Sequence, residues 1–249
     1  MKIWRAEIVV CGASLGGTIA ACSAAESGKS VILLEQTDWI GGQLTSQAVP
    51  PDEHKWIESQ GCTRSYRQYR NKIRNYYRNL EGFSEKLKNQ RAFCPADSEV
   101  SYISHPPKLA SQTLQEMLRP FVERGLLKTV LNATLVRSTV SGNAISNVVY
   151  LIDGEEITVF GQIYIDGTDT GELIEKSGTD YNVGAESKSQ TGEEDAAEIA
   201  CPQDMQPATY TACLENRLIG DYTIPKPEMY DEFCKLKMPY DKYLVYSMY

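Results

Sequence analysis

The sequence predicts an α/β fold in which a parallel sheet meets a closely packed helix through a glycine turn. Three observations carry that prediction. A short Val/Ile run at residues 7–11 ends at Gly12, an alanine-rich stretch at 15–27 is stopped by Gly28, and a second apolar run at 30–34 ends at Glu35. Two apolar strands flanking one helix within roughly 30 residues make a βαβ unit.

Each element follows from its own residues. The first run is valine- and isoleucine-rich, as a strand buried on both faces of a parallel sheet requires. The helix is dominated by small side chains, which let its backbone lie close to a sheet, and Gly28 supplies the left-handed stop. After Gly41-Gly42, residues 49–61 are polar and broken by Pro50-Pro51, and are expected to be loop. Residues 63–80 read as a helix dense in Arg, Lys and Tyr. Pro106-Pro107 opens another helix, with Leu109, Leu114, Met117, Leu118 and Phe121 at helical spacing and Gly125 as its stop. Segments 130–136, 144–152 and 156–160 are strand-like and separated by Ser141-Gly142-Asn143 and Asp153-Gly154, an antiparallel meander. Residues 162–165 are expected as a final buried strand running into Asp166-Gly167-Thr168-Asp169. Residues 187–194 read as an exposed loop, and 243–249 as an element cut short.

Composition narrows the function classes. The chain has 249 residues, a formal net charge of -8 and 42% hydrophobic residues, ordinary values for a globular protein. No apolar run approaches the roughly 18 residues of a membrane span. The N-terminal residues lack an apolar signal core, so the expected address is cytoplasmic. Seven scattered cysteines without a Cys-x-x-Cys pair, and only His54 and His105 as histidines, argue against a disulfide framework and a metal site. The acidic balance argues against a nucleic-acid-coating protein.

The turn Gly12-Ala13-Ser14-Leu15-Gly16-Gly17 fits the dinucleotide-binding pattern at its first and last glycines, with Ser14 in place of the middle one. Gly12 permits the tight turn, and Gly17 lets the helix approach the strand. The helix N-terminus offers free N–H groups to a pyrophosphate, to which the Ser14 hydroxyl can also donate. Glu35, followed by Gln36, ends the next strand, where a carboxylate accepts from ribose hydroxyls and repels a 2′-phosphate.

With Trp39-Ile40-Gly41-Gly42-Gln43-Leu44-Thr45-Ser46 following that Glu, the chain resembles the FAD-dependent oxidoreductases with a glutathione-reductase-like FAD domain, in particular poorly characterised bacterial members. The resemblance implies FAD as cofactor and a Rossmann-like FAD-binding domain with three-layer β-β-α architecture and an inserted helical lid segment. It implies that Gly41, Gly42 and Gln43 pass beside the pyrophosphate and ribityl chain, that the strand holding Ala133 runs along the adenine, and that Asp166, Gly167 and Thr168 return beneath the cofactor. Segments 184–187 and 206–213 also look like this subfamily. Residues 1–42 and 129–185 are then the FAD-binding domain, 43–128 a helical lid or the start of a substrate domain, and 186–249 the start of a second domain. Members of the family are longer, and their late Gly-Asp motif is missing unless Gly220-Asp221 serves. The chain is therefore expected to be incomplete, and the expected partners beyond a small-molecule substrate are a complementing chain or a second copy in a homo-oligomer.

The implied function is an oxidoreductase whose flavin accepts a hydride from a small organic substrate. The cation- and tyrosine-rich stretch 64–78 has three readings: a solvated face with tyrosines packed inward, a pocket for an anionic substrate, or a nucleic-acid clasp, the last disfavoured by its position. His54 and His105 are candidate acid–base groups. Other readings of the whole chain are a catalytically incomplete binding module, a thiazole-synthase-like enzyme and a NAD-dependent dehydrogenase.

Overall fold

The computed structural model describes residues 2–96, 98, 100–206, 211–213, 217 and 219–236. Segment 243–249 and residues 207–210 of the segment 206–213 therefore lie outside the described residues. Contacts divide the chain into two compact units, Met1–Cys213 and Leu214–Tyr249. In the second, the described residues include one helical turn, Tyr230–Phe233, and an Asx turn in which Asp221 accepts from Thr223 N at 3.0 Å.

The first unit is built on two four-stranded sheets. The parallel one contains β2 (Ile8–Cys11), β3 (Val31–Leu34), β4 (Leu127–Val130) and β8 (Ile163–Asp166), in the order β4-β3-β2-β8. The other contains β1 (Lys2–Arg5), β5 (Ala133–Ser141), β6 (Ala144–Ile152) and β7 (Glu155–Phe160), in the order β1-β7-β6-β5. Helix α1 (Leu15–Glu26) crosses from β2 to β3, and α4 (Pro107–Glu123) leads into β4. Between them come a 3-10 turn, Gly42–Leu44, then α2 (Arg64–Arg78) and the single turn α3 (Glu85–Lys88).

The period of two in each strand separates two cores. Val10, Val31 and Leu33 face Ala21, Ala25, Leu114 and Leu118 of the helices, with Tyr69 and Ile73 of α2 behind them. Val9, Cys11, Ile32 and Leu34 face Ala133, Leu135, Val148, Tyr150 and Val159 of the meander. A strand buried on both faces must be apolar throughout, which is why these segments read as continuous runs. Meander, parallel sheet and helices thus form the expected β-β-α layers. The β6–β7 turn has the expected chemistry, with Asp153 at φ 51° and Gly154 at φ 77°, the paired positive values of a type I′ hairpin.

Several expectations need correction. The N-terminal residues are a separate strand: β1 pairs in parallel with β7, whereas β2 belongs to the other sheet. The Glu7 carboxylate, accepting from Ser30 N at 2.9 Å, marks the switch. Segment 130–136 is likewise two strands, because β4 pairs with β3 and β5 with β6. Asn132, at φ 54°, turns the chain between sheets, a backbone region that asparagine tolerates. The strand β8 is not buried: Ile163 is 56% exposed on the edge of the parallel sheet. Residues 187–194 include a helical turn, α6 (Lys188–Thr191), closed by a Ser187/Gln190 capping box. α5 (Glu172–Ser177) follows β8.

Candidate functional site

Three backbones converge at the C-terminal end of β2. Gly12 has φ +91°, and a Cβ there would sit 2.3 Å from Thr168 N. A Cβ on Gly17 would lie 2.2 Å from Gly12 O, and one on Gly167 2.6 Å from the same oxygen. Real Cβ contacts do not come so close, so these glycines are what allow the turn, α1 and the β8 exit to cross. Ser14 caps α1, its Oγ accepting from Gly17 N at 3.2 Å, which leaves its hydroxyl hydrogen available. The first turn of α1 carries no acidic residue, so its positive dipole end is uncompensated within the helix.

Glu35 sits at the end of β3, buried, and already works within the fold. Its Oε2 accepts from Ala13 N at 2.7 Å and its Oε1 from Thr37 N at 2.9 Å and Thr37 Oγ1 at 3.0 Å. The carboxylate therefore ties the glycine turn to the adjacent strand end, with lone-pair capacity left over. Gly41 N donates to Ala13 O at 2.7 Å, which lays the Gly-Gly segment against the turn. A Cβ on Gly42 would lie 2.7 Å from Asp169 Oδ1 and 3.0 Å from Ser14 Cα, so Ser14, Gly42 and Asp169 meet at one point.

Beside this crossing lies a narrow cleft of about 20 Å³ whose walls include Gly12, Glu35, Gln36, Ala133, Thr168 and Asp169. The structure thus brings together the glycine turn, the acidic strand end and the start of β5. Leu15 and Gln43 face away, onto a separate cavity. Gly16 stays on α1 beside the Ser14 side chain. Ala133 offers the cleft an apolar wall, because its N–H is donated to Glu35 O at 2.8 Å. The Asp166 and Thr168 side chains are turned inward. Asp166 Oδ1 accepts from Thr168 N and Thr168 Oγ1, Asp166 Oδ2 accepts from Ile174 N, and Thr168 Oγ1 accepts from Glu172 N.

Sequence reasoning missed three polar residues on this cleft, Tyr150, Asp169 and Glu172, and two apolar ones, Leu34 and Leu135. Asp169 ends the Asp166-Gly167-Thr168-Asp169 segment, one position past Thr168. Tyr150 was legible only as an inward position of β6. Burial pushes its phenol well above the ordinary range. Its hydroxyl lies beside the Cys11 thiol, itself pushed up to about 12 by burial, and lacks a well-formed hydrogen bond among the described residues. A buried orphan hydroxyl and a cradle that only glycine can line both fit a bound group in the cleft.

The second cavity, about 380 Å³ and open to solvent, is lined by Leu15, Gln43 and Leu44 on one side and by Asp52, His54 and Tyr66 on the other. His54 organises the loop there: its Nδ1 accepts from Trp56 N at 3.2 Å, and Nε2 lies 3.2 Å from Gly61 O, to which it then donates. His105 is elsewhere, its Nδ1 bonded to Ile103 O and its Nε2 2.5 Å from Tyr69 Oη. Burial lowers its pKa, holding it neutral, so Tyr69 donates to Nε2.

Helix α2 departs from all three sequence readings. Arg70 is 0% exposed and Arg74 3%, so cations as well as Tyr69 and Ile73 point inward. Glu53 and Glu58 from the preceding loop meet them. Arg70 donates to Glu53 Oε1 at 2.7 Å and Oε2 at 2.9 Å and to Glu58 Oε1 at 2.8 Å, while Arg74 Nη1 donates to Glu58 Oε2 at 2.8 Å. Burial disfavours the Glu58 charge, but hydrogen bonds from Arg74 and Arg70 outweigh it and hold the carboxyl at about 2. These guanidinium groups are committed to internal carboxylates rather than held out for an anionic ligand.

Among the described residues, no group of three or more His, Cys, Asp or Glu is placed to hold a metal ion, and no helix is long and apolar enough to cross a membrane. A family model described as FAD dependent oxidoreductase matches residues 7–240. The FAD-dependent monooxygenase ntnJ of Nectria sp is 40% identical over 59 residues, 24% of this chain and 14% of that protein. The FAD-dependent monooxygenase atnJ of Arthrinium sp is 41% identical over 55 residues, 22% of this chain and 13% of that protein. These matches thus span far less than two thirds of the curated relatives' length. Among solved structures, a geranylgeranyl bacteriochlorophyll reductase-like protein of Thermoplasma acidophilum aligns with TM-score 0.45 at 15% identity, covering 71% of this chain and 42% of that one. From the family match, the chain belongs to the FAD-dependent oxidoreductases, and its cofactor is FAD.

Proposed function

We propose that this chain supplies the FAD-holding part of an oxidoreductase that takes a hydride from a small organic substrate. The observation that carries the reading is the crossing of Gly12, Gly17 and Gly167 beside a strand end that holds Glu35. In that reading the N–H groups of Leu15 and Gly16 and the Ser14 hydroxyl receive the pyrophosphate. The remaining lone-pair capacity of Glu35 takes a ribose hydroxyl, and Gln36 with the apolar side of Ala133 borders the adenine. Gly41 and Gly42 keep the backbone low where the cofactor passes toward Gln43. FAD, when bound, supplies a two-electron acceptor. We take residues 1–42 and 107–185 as the holding part, because α4 and β4 belong to its helix layer and parallel sheet, and 43–106 as its cover, with a further domain beginning after Cys213.

The substrate belongs in the cavity between the α1 entry and the loop 51–63. Its walls combine Leu44, Pro51 and Ile57 with Asp52 and Tyr66, so an uncharged or cationic substrate suits it better than an anion. His54, on its rim, is the group available to hold or move a proton there. Seven free cysteines suit a reducing compartment, and a cytoplasmic address is part of this reading. The test is reduction of chain-bound flavin by a panel of small donors, in this chain and in a longer form. Flavin uptake with no donor oxidised by either form would overturn the assigned activity. NAD binding without flavin uptake would overturn the site reading.

A further inference from the structure

The cleft beside the glycine crossing has an unusual charge balance for a site that takes a pyrophosphate. Glu35, Asp169 and Glu172 line it, and no Lys, Arg or His does. Two nearby carboxylates are held by backbone donors: Glu35 by Ala13 N and Thr37 N, and Asp166 by Thr168 N and Ile174 N. Asp169 is differently placed. Its Oδ1 occupies the space that a Cβ on Gly42 would need, and the same Cβ would lie 3.0 Å from the Cα of Ser14 at the N-cap of α1.

Burial raises the Asp169 pKa, the Gln47 amide facing it opposes the rise, and the Glu35 charge adds to it. Gln36 after β3, Thr168 after β8, Glu172 on α5 and the orphan hydroxyl of Tyr150 on β6 are the other polar groups on the cleft, with Asp166 bonded behind Thr168. A pyrophosphate arriving at the start of α1 would add two more negative charges with no side-chain cation to offset them. Neutralising Asp169, the carboxylate that borders Gly42 at the start of α1 where the new charge arrives, is the least costly response. We propose that dinucleotide binding draws a proton from solvent onto Asp169, whose neutral carboxyl then donates a hydrogen bond to a phosphate oxygen at the α1 N-terminus. The proposal rests on the FAD reading of this cleft.

The experiment is titration calorimetry of the full chain with FAD, whose pyrophosphate does not itself titrate near neutrality. It is run between pH 6 and pH 8 in PIPES and in Bis-Tris, which differ in ionisation enthalpy. The wild type should take up a proton on binding, and its affinity should fall with rising pH, by at most about tenfold per pH unit for one linked proton. Asp169→Asn, which is always neutral, should bind without that uptake and more tightly than the wild type at pH 8. Wild-type binding with no proton uptake would overturn the proposal even if the variant failed to fold. So would an Asp169→Asn protein that binds more weakly than wild type at every pH, because the carboxylate would then be acting as an acceptor for a sugar hydroxyl. Failure of the wild type to bind FAD at any pH would overturn the nucleotide reading itself, and the proposal with it.

Discussion

Replacing Arg70 with Met tests the buried ion cluster that fixes the loop 52–58 against α2. Arg70 is fully buried and is the only cation that reaches Glu53 among the described residues, whose side chain is 5% exposed. Glu58 would keep Arg74. Glu53 would keep only the Tyr66 hydroxyl, donating at 2.6 Å. Breaking a buried pair by removing one partner costs about 3–5 kcal/mol. The stranded carboxylate has one escape, which is to take up a proton, and at pH 7 that costs an ordinary glutamate about 3.7 kcal/mol. The smaller cost sets the limit, so the expected loss at pH 7 is about 3–4 kcal/mol. In urea denaturation, with a slope of about 2–3 kcal/mol/M, that loss lowers the midpoint by about 1–2 M.

The sign of the pH dependence is also fixed. A carboxyl that is harder to ionise in the folded variant than in its unfolded chain holds the extra proton in the folded state. The deficit therefore shrinks as pH falls from 7 to 5, by at most about 1.4 kcal/mol per unit. Adding Glu53→Gln to Arg70→Met should recover most of the stability, since the orphaned charge goes with it. A deficit under about 1 kcal/mol would refute the reasoning, because it lies far below the cost of a stranded buried charge. A deficit that does not change with pH would refute it as well.

The remaining predictions concern the cleft and the pH profile. Gly17→Ala and Gly12→Val should each abolish retention of FAD, because the new Cβ would fall 2.2 Å from Gly12 O or 2.3 Å from Thr168 N; flavin absorbance after gel filtration reads this. Glu35→Ala should cost both stability and affinity, on the order of 1–3 kcal/mol in each, because buried donors at Ala13 and Thr37 lose their acceptor. Glu35→Gln keeps one acceptor oxygen and should be the milder variant in thermal melts and in FAD titration. Stability should also decline in acid in two stages. His105 is neutral in the fold with a lowered pKa, so stability is full above its ordinary 6.5 and is lost as pH falls below that value. Glu58, held at about 2, contributes stability above its ordinary 4.5, which is lost as pH falls toward 2. A urea midpoint that stayed flat from pH 7 to pH 3 would contradict both.

The nucleotide half of the fold was legible because it depends on local chemistry. Val9, Val10, Ile32 and Leu33 must be apolar to be buried on both sheet faces, and Gly12 and Gly17 must lack a Cβ where backbones cross. Asp153-Gly154 had to be a turn because its backbone signs suit little else. Elements set by long-range pairing were less legible. Residues 130–136 look like one strand, and only the partner on either side shows that they contribute to two sheets, just as only β7 shows that Lys2–Arg5 is a strand of its own before the 7–11 run.

The residues themselves determined the βαβ unit, the glycine turn, the acidic strand end and the meander, since strand period and backbone sterics operate over a few dozen residues, while the layer architecture was what the family resemblance implied. Tertiary structure decided how the charges are spent. Arg70 and Arg74 look like a solvated or ligand-seeking face until Glu53 and Glu58, from a loop with no regular period, are seen to neutralise them. Asp166 and Asp169 are three positions apart and chemically identical, yet one is held by backbone donors at a helix entry while the other faces the cleft. Whether a carboxylate is a cap, an ion-pair partner or a ligand-facing group depends on which donors the rest of the chain brings within about 3 Å, and that proximity is set by packing rather than by the residue's neighbours in sequence.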